Sequence, residues 1–181
     1  FENISVNFID EIKIPEIRAY YGWQAAMETI HSETYALMIE TYIKDEREKS
    51  KILNGIKEMN GVKKKAEWAS KWLNKDIPFQ KRLVAFVIVE GIFFSGSFCA
   101  IFWLKYVKNL MTKALGKSNE YISRDESLHT DFGILLYSYI INKLSYDEIK
   151  NMFTSAVEIE KEFICESFSC NLIGINSKHM S

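Results

Sequence analysis

Glu28-Thr29-Ile30-His31-Ser32-Glu33-Thr34-Tyr35 lies in a run from Pro15 to Ile43 with one glycine and no interior proline, so nothing in it breaks a helix. Residues three apart share a helix face, so Glu28 and His31 point the same way. Roughly a hundred residues later, Glu126-Ser127-Leu128-His129 repeats the arrangement inside a second predicted helix. Two such helices facing each other offer two carboxylates and two imidazoles to one point. The chain has three histidines, His31, His129 and His179, and two of them fall in these motifs.

Between the two motifs lies Val87-Ile88-Val89-Glu90-Gly91-Ile92-Phe93-Phe94, where a lone acid interrupts an apolar run. A buried, unpaired carboxylate is costly, so Glu90 needs a partner there. A metal ion shared with the two Glu-x-x-His pairs is the natural one. Carboxylate and imidazole donors without thiolates suit iron or manganese. A single Glu-x-x-His is more often a structural surface pair; two copies flanking a lone buried glutamate make a metal site the better reading. The set matches the four-ligand half of a ferritin-like dinuclear carboxylate centre, which takes one further carboxylate from each of two other helices. Glu90 supplies one of those.

Tyr35 follows His31 by four residues and Glu28 by seven, on the same face. It is either a core aromatic with a satisfied hydroxyl or a phenol placed beside the metals to be oxidised. Phe94 and Phe98, four and eight residues after Glu90, would line the same interior.

The rest of the chain is consistent with this core. Nearly half of the 181 residues are apolar and 14% are aromatic, which is a packed composition. A net charge of -1 gives no pointer to nucleic acid or to a membrane surface. Two prolines and eight glycines favour long helices. Cys99, Cys165 and Cys170 show no CxxC pairing and read as reduced thiols, which predicts an intracellular, cytoplasmic setting. No leader is visible at Phe1. Leu83–Leu104 is long and apolar enough to suggest a membrane span, but Glu90 in its middle makes a fully buried core helix the expectation.

Predicted helices run over Pro15–Ile43, 49–59, 62–73, 79–106, 119–143 and from the Ser145-Tyr146-Asp147-Glu148 capping box to about Phe168. Asp45–Glu48 reads as a charged turn, Val107–Ser118 as a connection, and Lys63-Lys64-Lys65 as a solvated helix face. The expected fold is all-α: a ferritin-like helical bundle with long core helices, forming a single domain over 1–181.

The motifs Glu28–Tyr35, Val89–Phe98 and Ile122-Ser123-Arg124-Asp125-Glu126-Ser127-Leu128-His129 closely resemble the signatures of the class I ribonucleotide reductase small subunit. So do the flanks Tyr21-Gly22-Trp23-Gln24, Val62–Trp68, Phe102–Lys105 and Leu172–Gly174, which look like the eukaryotic branch. The resemblance runs from about Glu2 to the end.

It implies that Glu28, His31, Glu90, Glu126 and His129 are iron ligands, with two Fe ions per subunit and Mn as a possible substitute. It implies that Tyr35 carries a tyrosyl radical formed when the di-iron centre activates O2, with Phe94, Phe98 and Ile122 as the apolar pocket around it. Asp125 would hydrogen-bond His31 and serve radical transfer to the large subunit, where ribonucleoside diphosphates are reduced. A tyrosine at position 35, in place of phenylalanine, favours the di-iron type over the manganese–iron variant. The resemblance further implies a homodimer.

A sixth ligand, an aspartate, and an upstream tryptophan would lie before Phe1. Asp10 stands in the wrong place to be that ligand. The last helices and the tail would lie beyond Ser181, so truncation at both ends is expected. An oxygenase, an iron-storage protein and a helical scaffold with a dead site are the competing readings.

Overall fold

The computed structural model describes residues 2–55 and 59–167. Among these, all regular structure is helical and no strand occurs, so the fold is all-α, of the ferritin-like helical kind. Cys170, His179, the Leu172–Gly174 flank and part of the predicted helix 49–59 lie outside the described residues.

The helices fall into two compact units, residues 1–50 and 51–181. In the first, α1 (Glu2–Glu11), which no sequence motif announces, packs on α2 (Pro15–Tyr42). Pro15 occupies the first turn of α2, where its missing N–H costs nothing and its fixed φ suits the helix. The buried residues Tyr21, Gln24, His31 and Met38 recur at spacings of three and seven, a single stripe along α2. Phe8 of α1 closes over this stripe, its ring 5.2 Å from that of Tyr21. The expected charged turn is instead a helix start. Asp45 Oδ1 accepts the Arg47 and Glu48 N–H groups at 2.9 and 3.0 Å, and α3 begins at Glu46 (Glu46–Leu53). Lys49 is buried by two ion pairs, to Glu40 and Glu46, each 2.9 Å.

In the second unit α4 (Asn60–Ser70) continues into a 3₁₀ turn, Lys71–Leu73. Next come α5 (Phe79–Ile92), α6 (Ser95–Phe102) with a π turn at Trp103–Val107, α7 (Ala114–Ser138) and α8 (Tyr146–Ser167). The centre is α5, where every residue from Arg82 to Glu90 is buried. Its apolar side chains, Val84, Ala85, Ile88 and Val89, meet Trp68 and Ala69 of α4 and Met152 and Ala156 of α8. Truncating one such residue, Ile88→Ala, removes about 2–5 kcal/mol by transfer and cavity terms together. On its other flank α5 packs on α7. Gly133 permits that approach: a Cβ there would lie 2.5 Å from Val87 Cγ2.

Two further expectations need correction. The apolar stretch 79–106 is not one helix and is not buried throughout. It breaks at Phe93-Phe94, and beyond the break most of α6 is only half-buried. Taken together, the helical segments from Phe79 to Val107 are long and apolar enough to cross a membrane by length and composition alone, with 56% of their most apolar window buried inside the fold. Lys65 does not belong to a solvated face. Its side chain is 12% exposed and paired with Glu160. The predicted capping box is present: Ser145 Oγ accepts the Glu148 N–H at 3.3 Å, and Glu148 Oε2 accepts the Ser145 N–H at 3.1 Å.

Candidate metal centre

Glu90 rides on the last turn of α5, the helix that the core fixes most firmly. Glu126 and His129 sit three residues apart on α7, facing α5. All three are buried, at 4%, 5% and 3% exposure. His129 Nδ1 lies 3.4 Å from Glu90 Oε2 and 3.3 Å from Glu126 Oε2, and the ligand-capable atoms of the three all fall within 4.8 Å of one another. Two buried acids around one imidazole concentrate negative charge away from water, an arrangement that a bound cation compensates. The donor set, two carboxylates and an imidazole with no sulfur, fits iron or manganese. A cavity of about 280 Å³ adjoins it, lined by Glu90, Glu126, Phe98, Ser95, Ser123, Ser127 and Thr130 among others.

The first unit carries the other motif. Glu28 and His31 share one face of α2, with His31 Nδ1 3.7 Å from Glu28 Oε2 and both side chains largely shielded. One turn earlier on the same face is Gln24. Its amide is fully buried and has no hydrogen-bond partner among the described residues. A glutamine one turn before a Glu-x-x-His was the available signal for it.

Tyr35, one turn beyond His31, is 36% exposed. Ile122 is buried one turn before Glu126, and Asp125 is half-buried beside it in sequence. Phe94 and Phe98 do not continue the helix of Glu90 as expected. Phe94 lies in the break and Phe98 on α6, their ring centroids 6.1 Å apart, and of the two Phe98 lines the cavity beside Glu90. Among the described residues the structure thus gathers Glu90, Glu126 and His129 in one unit and Glu28 with His31 in the other.

An all-helical fold in which Glu90, Glu126 and His129 could hold a metal fits the class of helical carboxylate–histidine proteins. Comparison with known proteins makes this specific: residues 1–181 match the family described as "Ribonucleotide reductase, small chain", and the chain belongs to that family. It is 56% identical over 180 residues to the ribonucleoside-diphosphate reductase small subunit of Dictyostelium discoideum, covering 99% of this chain and 53% of that one. It is 52% identical to the ribonucleoside-diphosphate reductase small chain of Trypanosoma brucei brucei and 51% identical to one from Arabidopsis thaliana, with similar coverage. The chain spans about half the length of these curated relatives.

Proposed function

We propose that the protein is the radical-generating small subunit of a ribonucleoside-diphosphate reductase, working with a large subunit in deoxyribonucleotide synthesis in the cytoplasm. The observation that carries this reading is the buried convergence of Glu90, Glu126 and His129 in a member of the small-chain family. Glu28 and His31 complete the ligand set, which holds two iron ions, with manganese as an alternative. Iron bound there supplies O2 activation for the one-electron oxidation of Tyr35. The chain's own residues do the remaining work. α5 and α7 present the ligands from a rigid core, so little reorganisation is needed when metal enters. Asp125 orients His31 and passes the oxidation on towards the large subunit. Phe94, Phe98 and Ile122 keep water from the oxidised phenol.

The subunit acts as a homodimer. Trp23, Ile30 and Leu37 support this: they recur every seven residues along α2 as an exposed apolar stripe, the kind of surface that a second copy covers.

Reconstitution of the full-length protein with iron and a large subunit tests the activity. Glu126→Ala is expected to lose both metal and reductase turnover, whereas Tyr35→Phe keeps the metal and loses turnover. Full turnover by Tyr35→Phe would overturn the assignment, and oxidation of an added organic substrate without a large subunit would point to an oxygenase.

A further inference from the structure

The break between α5 and α6 begins three residues after Glu90, and a helix break leaves backbone donors and acceptors that need new partners. Here two charged side chains from other helices supply them. Lys65 Nζ, from α4, donates to the Phe93 carbonyl at 2.7 Å. Glu160 Oε1, from α8, accepts the Gly96 N–H at 3.2 Å. The two side chains also pair with each other, Nζ to Oε2 at 2.5 Å, with 12% and 9% of their surfaces exposed. Gly96 is shaped to this contact: a Cβ there would fall 2.8 Å from Glu160 Oε1 and 2.0 Å from Ile164 Cδ1. Phe163 stacks beneath the ammonium at 3.5 Å.

Burial works against both charges. It lowers the Lys65 ammonium below its ordinary value despite the Glu160 partner, and raises the Glu160 carboxyl. Apolar residues of similar size would avoid that cost. What they could not do is bond the Phe93 carbonyl and the Gly96 N–H at the break.

We propose that Lys65 and Glu160 are positioning residues that clamp the α5–α6 break, fixing the last turn of α5 and with it the placement of the Glu90 carboxylate at the metal. The clamp also sets where Phe94 and Phe98 fall relative to Glu90. This rests on Glu90 being a ligand.

The experiment compares full-length wild type with Lys65→Met, Lys65→Arg, Glu160→Gln and Ser155→Ala. Ser155→Ala is the control: it removes a different α4–α8 hydrogen bond, from Trp68 Nε1 to Ser155 Oγ at 2.9 Å, without touching the break. Amide exchange at residues 93–98 of the metal-free protein is read first, then Co(II) affinity and visible ligand-field bands. Lys65→Met is expected to speed exchange at Gly96, shift the bands and weaken Co(II) by about 10–100-fold, the range for residues that orient metal ligands. Lys65→Arg, which keeps a donor and a charge, restores most of both. Ser155→Ala lowers Tm and leaves the bands unchanged. Should Lys65→Met fail to fold, Glu160→Gln carries the test with the same expected direction. Wild-type bands and affinity in the folded clamp variants, or an equal shift in Ser155→Ala, would overturn the clamp. Failure of the wild type itself to bind Co(II) would overturn the metal reading, and the clamp's purpose with it.

Discussion

Two carboxylates and an imidazole buried within a few ångströms repel, desolvate and constrain one another, and a cation converts that liability into binding. Glu90 is the member with the least freedom, because nine consecutive buried residues of α5 end at it. Free Mn(II) at a hundred times its dissociation constant should therefore stabilise the wild type by about 2.7 kcal/mol, from mass action alone. In Glu90→Ala that gain should vanish, as read by thermal melts with and without metal; an undiminished shift would place the metal elsewhere. At this scale the sequence was informative where chemistry and period coincide. Glu-x-x-His on a helix needs no tertiary knowledge to be read as a shared face, and a lone glutamate among valines and isoleucines announces a buried charge. Lys65 was not legible for the converse reason. In a run of three lysines only the fold decides which one meets a buried glutamate on another helix.

Helix positions were legible at their starts and uncertain where breaks are tertiary. Pro15 and the Ser145–Glu148 box mark helix starts by local chemistry, and the structure has helices beginning at Pro15 and Tyr146. The break at Phe93-Phe94 has no proline, and its partners come from α4 and α8, so no local rule finds it. α7 begins at Ala114, five residues before the predicted Asn119. Gly116 reads as a connector in sequence but is buried within the helix, its N–H bonded to the Met111 carbonyl at 2.8 Å. Close packing of α5 on α7 also rests on glycine. Gly133→Ala should destabilise by about 1–3 kcal/mol through overpacking against Val87. Gly91→Ala, whose Cβ would meet Thr130 Cγ2 at 3.3 Å, should cost less; urea midpoints distinguish them. α8 carries a pH signature as well. Lys81, followed by the Ser145 hydroxyl and backbone, holds the Glu148 carboxyl at about 2 against an ordinary 4.5. A depressed carboxylate contributes stability above 4.5 and loses it as pH falls through 2. The stability gap between wild type and Glu148→Gln should therefore be full above pH 4.5 and close towards pH 2, whereas a gap independent of pH would contradict this.

At the scale of the whole molecule, the all-α class was readable from scarce proline and glycine and from helical spacing alone. The family rests on matched motifs and on relatives about twice the length of this chain. The proposed homodimer is tested at its surface: if the exposed stripe of α2 is the interface, Leu37→Glu should shift the full-length protein from dimer to monomer by light scattering, and an unchanged mass would contradict that interface. We propose that a metal bound at this site oxidises Tyr35. Electron paramagnetic resonance after loading Fe(II) anaerobically into the full-length protein and admitting O2 tests it most directly. A tyrosyl signal is expected in the wild type and is expected to be absent from both Tyr35→Phe and Glu90→Ala. The same signal persisting in iron-loaded Tyr35→Phe would contradict it.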